Sequence, residues 1–149
     1  MNRRMIARIL GILMLLEAGM LILPLLVSLY YSENVYMFFL KAIGMTAAFG
    51  ALMFFISRPE NKTIYARDGF AVVTLGWVFL SLFGALPFFL SGSIPNYLDA
   101  VFETVSGFTT TGASILTDVE VLPKSMLFWR SFTHWIGGMG VLVFIMAVL

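Results

Sequence analysis

Four stretches of this sequence are so apolar, and so long, that burial away from water constrains the fold before any motif does. Residues 9–30, 36–56, 69–90 and 125–149 are dominated by aliphatic, aromatic and small side chains, and the charged residues gather mostly between them. About 20 helical residues cross the hydrocarbon core of a bilayer, and a backbone that crosses it must satisfy its own N–H and C=O groups. The expected fold class is therefore an all-α membrane protein. Composition agrees: 60% of the 149 residues are hydrophobic and 11% charged, with a mean hydropathy of +0.98, whereas soluble domains carry about 25% charged residues. The absence of cysteine excludes disulfide frameworks and thiolate metal sites, and one histidine makes a histidine metal centre implausible. A net charge of +1 identifies no partner; membrane lipid is the expected surrounding, and no nucleic acid partner is expected.

Arg3, Arg4 and Arg8 precede the first apolar run, which is longer than the hydrophobic part of a signal peptide and lacks a small-residue cleavage site. It reads as a retained transmembrane helix with a cytoplasmic N-terminus, by the positive-inside rule. Arg58, Lys62 and Arg67 recur in the loop expected on the same side. Pro24 is expected to bend the first helix by removing a ladder hydrogen bond. Glu17, near mid-membrane, is expected to face protein, since an ionised carboxylate in lipid is expensive. Its reading as a pin at a helix interface stands beside one as an ion contact. Lys41 lies one turn inside the second span, where its stem can stay apolar while the ammonium reaches water. The expected depths of Glu17 and Lys41 differ by roughly 10 Å at the helical rise, which argues against a salt bridge between them.

Between the third and last spans lies VFETVSGFTTTGA, residues 101–113, too short and too polar at its end to cross. Pro95 suits a helix start, with Ser93 or Ile94 in the cap region and Asp99 in the first turn. The helix over residues 97–108 is about 18 Å long, short of a span. A re-entrant helix entering from outside would aim its negative C-terminal end at Thr110, Thr111, Gly112 and Ala113. Backbone carbonyls in such a loop can replace the hydration shell of a potassium ion; a threonine-rich connection between helices remains the alternative. Glu103 reads as an anchor of the short helix, with direct ion contact as the other possibility, and Ser106 and Gly107 as packing residues. Glu33, Asp99, Asp118 and Glu120 fall on the expected outer side, either attracting cations to a mouth or simply solvating loops. In the last span Arg130 and His134 share a face. Arg130 is expected to make a protein contact behind the loop, since a cation in a cation path would repel the ion. His134 reads as a packing histidine or a proton relay. Gly76, Gly84, Gly137, Gly138 and Gly140 permit close helix approach or bending.

The order of these elements, with the words FETVSGFTTTGAS and FWRSFTHWIGGMG, resembles the Trk/Ktr/HKT superfamily of cation transporters, and more closely the N-terminal part of its TrkH-type potassium uptake branch. The resemblance covers essentially the whole chain, and the extra N-terminal helix pair argues for the Trk branch. It implies four helix–pore loop–helix repeats in one polypeptide around a potassium-channel-like pathway. Residues 1–57 would be the N-terminal helix pair, 58–68 a cytoplasmic loop, and 69–149 the first repeat, apparently truncated. The characteristic filter glycine carries over to Gly112, flanked by Thr110, Thr111 and Ala113, and glycine there points to potassium rather than sodium. The resemblance further implies a homodimer in the bacterial inner membrane. A cytoplasmic ring of TrkA-like nucleotide-binding regulatory subunits is implied as well. The remaining three repeats, and the gating loop of the third, are absent from this sequence.

The function expected is potassium translocation, with backbone carbonyls of Thr110, Thr111 and Gly112 forming one quarter of a selectivity filter, supported by Glu103, Ser106 and Arg130. K+ would be the transported ion, with no bound organic cofactor, and no enzyme activity is expected because nothing suggests a covalent step. Coupling is left open between channel-like passage and proton symport. The alternatives are a non-conducting structural or interaction protein, and a sodium-preferring member of the same family.

Overall fold

The computed structural model describes residues 2–61 and 63–148, with side chains described through residue 140 and at Val143. Met1, Lys62 and Leu149, which figure in the sequence reading, lie outside the described residues. The chain forms α1 (Arg3–Met20), α2 (Ile22–Tyr30), α3 (Tyr36–Ile56), α4 (Ala66–Gly84), α5 (Leu86–Leu90), α6 (Tyr97–Phe108) and α7 (Lys124–Val148), with one 3-10 turn at Val119–Val121 and no strand among the described residues. Three helical stretches, Arg3–Tyr30, Tyr36–Ile56 and Ala66–Leu90, are long and apolar enough to cross a bilayer.

α1 begins at Arg3, ahead of the apolar run, because the side chain of Asn2 accepts from the Met5 N–H and caps the first turn. A bend is expected at Pro24; the helix is interrupted one turn earlier, at Leu21, between α1 and α2. A proline withholds an N–H from the carbonyl four residues before it, and its ring crowds that carbonyl, so the ladder fails at that point. α1 and α3 then cross almost backbone to backbone. A β-carbon on Gly11 would stand 2.8 Å from the Gly50 carbonyl oxygen, and one on Gly50 would stand 2.9 Å from the Gly11 carbonyl oxygen. Between helices in lipid, close approach at small residues supplies the packing that water exclusion supplies elsewhere.

α4 begins at Ala66 rather than near residue 69. Asp68 explains the difference: its carboxylate accepts from the backbone N–H of Tyr65 and of Asn2, both at 3.2 Å, so it caps α4 and fastens the start of the chain to it. The helix is interrupted at Ala85, between α4 and α5, two residues before Pro87. Carbonyls beside that break are taken up by side chains. The Trp129 indole N–H donates to Gly84 at 2.9 Å, and the Tyr97 hydroxyl donates to Leu82 at 2.6 Å. The core gathers around the same place, where Leu21, Phe39, Phe88, Met126 and Trp129 pack together almost free of solvent.

Candidate ion-pathway loop

α6 starts on Asn96, whose side chain accepts from the Leu98 N–H at 2.9 Å. The cap is thus Asn96, one residue after Pro95, and neither Ser93 nor Ile94 fills it; asparagine offers the N-terminal donors an acceptor that isoleucine lacks. Ala100, Glu103, Thr104 and Gly107 form the buried face of α6, at helical spacing, while Leu98, Phe102 and Val105 stay exposed. Two glycines let this face press against α7. A β-carbon on Gly107 would collide with the Thr133 hydroxyl, and one on Gly137 would overlap the Phe108 carbonyl.

Past Phe108 the chain closes into a tight loop. The Thr109 N–H bonds Val105 O, the Thr110 N–H bonds Gly107 O, and the Thr111 N–H bonds Ser106 O, at 2.9, 3.0 and 2.9 Å. Thr110 and Gly112 then take positive φ, 57° and 78°. Glycine adopts such a conformation freely; for threonine it costs about 1–3 kcal/mol and persists only where the surroundings impose it. The Ser106 hydroxyl donates to the Ala113 carbonyl, so one residue of α6 holds both limbs of the loop. The threonine hydroxyls are also engaged. Thr109 donates to Val105 O, Thr110 to Thr109 O, and Thr111 lies 2.8 Å from the Thr109 hydroxyl, whose proton is already given away. Among the described residues no donor reaches the carbonyls of Thr110, Thr111 or Gly112, and residues 110–113 are exposed. Of the four residues singled out here, only Ala113 has its carbonyl occupied.

Glu103 connects three segments behind the loop. It is 2% exposed, and its carboxylate accepts from the Ser114 hydroxyl, from the Ile115 N–H at 3.0 Å and from Arg130 Nε at 2.6 Å. α6, the limb leaving the loop, and α7 therefore meet on one side chain. His134 shares the face of Arg130, and its Nδ1 donates to the Arg130 carbonyl at 2.9 Å. The four carboxylates expected at an outer mouth do not behave alike. Glu33 accepts from Ser125 Oγ at 2.9 Å and Ser125 N at 3.4 Å, capping the first turn of α7, while Lys124 sits 4.1 Å over the Tyr31 ring. Asp118 caps the 3-10 turn through the Glu120 N–H. Among the described residues no cluster of three or more His, Cys, Asp or Glu side chains could hold a metal ion.

Sequence reasoning named Glu103, Ser106, Arg130 and residues 110–113, and the fold brings them into one neighbourhood. It did not name Ser114 and Ile115 as the partners of Glu103, since nothing local distinguishes them from other loop residues.

The TrkH family model, described as a cation transport protein, matches residues 36–149. The chain belongs to the TrkH family. It is similar to the Trk system potassium uptake protein TrkH of Halomonas elongata, 41% identical across 100% of this chain and 31% of that protein. The TrkH of Escherichia coli K12 is 40% identical, again over 100% of this chain and 31% of its own length. The crystal structure of the potassium transporter TrkH from Vibrio parahaemolyticus superposes with a TM-score of 0.92 at 38% identity, over 100% of this chain and 32% of that one. The chain thus spans about a third of the length of the TrkH relatives it matches. With three candidate spans and this family, it is a multi-pass membrane protein.

Proposed function

We propose that this chain is the N-terminal part of a potassium translocation protein, with the carbonyls of Thr110, Thr111 and Gly112 supplying one quarter of a selectivity filter. The observation that carries this reading is the run of three carbonyls without a donor among the described residues, on a loop held at both ends by Ser106 and braced by Glu103 and Arg130. A dehydrated cation needs such oxygens. The C-terminal end of α6, with its partial negative charge, lies beside them. Ala113 ends the segment, its carbonyl turned to shaping the loop rather than to the ion.

Three further repeats of the full-length protein complete the ring, and the assembly is a homodimer in the bacterial inner membrane, regulated by TrkA-like nucleotide-binding subunits. The positive-inside rule, applied to Arg3, Arg4, Arg8, Arg58 and Arg67, supports an N-terminus and a loop before α4 on the cytoplasmic side. Residues 1–57 act as the added helix pair and 69–149 as the first repeat, with potassium as cargo and no organic cofactor.

The test is rubidium and sodium flux through the full-length protein carrying Gly112→Ser. Gly112 sits at φ 78° with nothing within 4 Å of an added β-carbon, so the substitution fits sterically but strains the backbone. A strain of about 1–2 kcal/mol is expected to cut the rubidium-over-sodium preference by about tenfold. Gly92→Ser, equally unhindered at φ 74° but in the loop before α6, carries the same strain and should leave selectivity alone. Unchanged selectivity in Gly112→Ser refutes the filter role, and sodium flux above rubidium in the unaltered protein favours the sodium-preferring reading.

A further inference from the structure

Glu17 lies within α1, is 1% exposed, and neither of its carboxyl oxygens has a hydrogen-bond partner among the described residues. Its Oε1 faces the Cα of Gly84, where a β-carbon would stand 2.9 Å from it and 2.9 Å from the Thr104 methyl group. The neighbouring hydroxyl of Thr104 has given its proton to the Ala100 carbonyl. α1 is interrupted at Leu21, one turn beyond Glu17, and α4 at Ala85, next to the glycine that Glu17 touches. The charged and titratable groups on the elements packed around it are Arg3, Arg4 and Arg8 on α1, Tyr30 on α2, Tyr36 and Lys41 on α3, Arg67 and Asp68 on α4, Tyr97, Asp99 and Glu103 on α6, and Lys124, Arg130 and His134 on α7. The ion pairs among the described residues are Arg4–Glu60 and Arg130–Glu103, so none of these groups pairs with Glu17. Glu17 also forms part of the wall of a groove of about 420 Å³ between α1, α4 and α7, otherwise apolar and lined by Leu13, Leu16, Trp77 and Phe108 among others.

We propose that Glu17 is a proton-binding site, separate from the 110–113 loop, held as a neutral carboxylic acid and reached from the bilayer through this groove. An unpaired carboxylate at such a place is strongly disfavoured. A carboxylic acid is different: it carries no charge and gains a donor of its own. The groove admits a neutral apolar molecule and excludes a charged one, and the three side-chain torsions of glutamate let the carboxyl swing from Gly84 into it. The inference does not depend on the potassium reading.

Full-length protein in liposomes, treated with dicyclohexylcarbodiimide at neutral pH, tests it. The acid proton passes to a carbodiimide nitrogen and a carboxyl oxygen bonds to the central carbon. The resulting O-acylisourea rearranges by acyl transfer to nitrogen, giving a stable N-acylurea with no atom lost. Peptide mapping by mass spectrometry is expected to find this adduct on Glu17 and to lose it in Glu17→Gln. A water-soluble carbodiimide bearing an ammonium group should not form it. An unmodified Glu17 in a fully covered map overturns the proposal, as does equal labelling by the two reagents. The mapping on unaltered protein decides the matter even where the variant fails to fold. Rubidium flux on the same liposomes is a separate readout: a labelled Glu17 without rubidium-selective flux leaves this site standing and sinks the potassium reading.

Discussion

Replacing Glu103 by alanine removes the acceptor on which α6, the limb after the loop, and α7 converge. The Glu103 side chain is 1% exposed and that of Arg130 is 19% exposed, with 2.6 Å between them, so the guanidinium would be left largely buried without its counter-charge. Breaking a buried pair in this way costs about 3–5 kcal/mol. The other two donors lost, the Ser114 hydroxyl and the Ile115 N–H, belong to exposed residues and recover water, so they add little. Glu103→Gln keeps the shape and one acceptor oxygen, and its expected cost is about 1–3 kcal/mol. Arg130→Met leaves Glu103 its two neutral donors, so Glu103→Gln with Arg130→Met should be less destabilising than the sum of the two, by about 0.5–3 kcal/mol. Denaturant unfolding of the full-length protein in detergent measures all four values. The rubidium-over-sodium flux ratio should fall in Glu103→Gln before transport itself is lost. A Glu103→Ala protein within about 1 kcal/mol of the unaltered one would refute the claim that this carboxylate braces the loop.

Two further substitutions test the packing around the same site. Gly137→Ala places a methyl group on the Phe108 carbonyl and is expected to destabilise by about 1–3 kcal/mol or more, whereas Gly138→Ala, whose nearest neighbour is a Thr110 methyl at 3.9 Å, should be tolerated; unfolding in detergent compares the pair. Glu33→Ala removes the cap on the first turn of α7 and should cost about 0.5–2 kcal/mol, with little effect on flux at saturating rubidium.

Much of the helical layout is legible from the chain alone, because spans in a bilayer announce themselves by length and by the polar residues that bound them. α3 runs Tyr36–Ile56 and α6 runs Tyr97–Phe108, the bounds expected from the sequence. The differences fall where a distant residue decides a local end. Asp68 looks like the last polar residue of a loop until Asn2, 66 positions away, is seen to donate to it. Glu33 looks like a solvated turn residue until Ser125, 92 positions away, claims it. The tight crossing between Gly11 and Gly50 was not legible because a glycine in an apolar run gives no sign of which neighbour it admits. At the loop, residue types and spacing pointed to exposed backbone oxygens. They could not say which of the four carbonyls an intramolecular bond would occupy, since that depends on where the Ser106 hydroxyl comes to rest.

That hydroxyl has a kinetic meaning. With the Ser106 carbonyl gripping Thr111 and the Ser106 side chain gripping Ala113, the turn between them is a clasp fastened by its own helix. The entropy of ordering it is spent when this hairpin folds, not each time a guest arrives. On the proposed filter reading, a visiting ion meets a mould already set and can leave it without the mould having to melt.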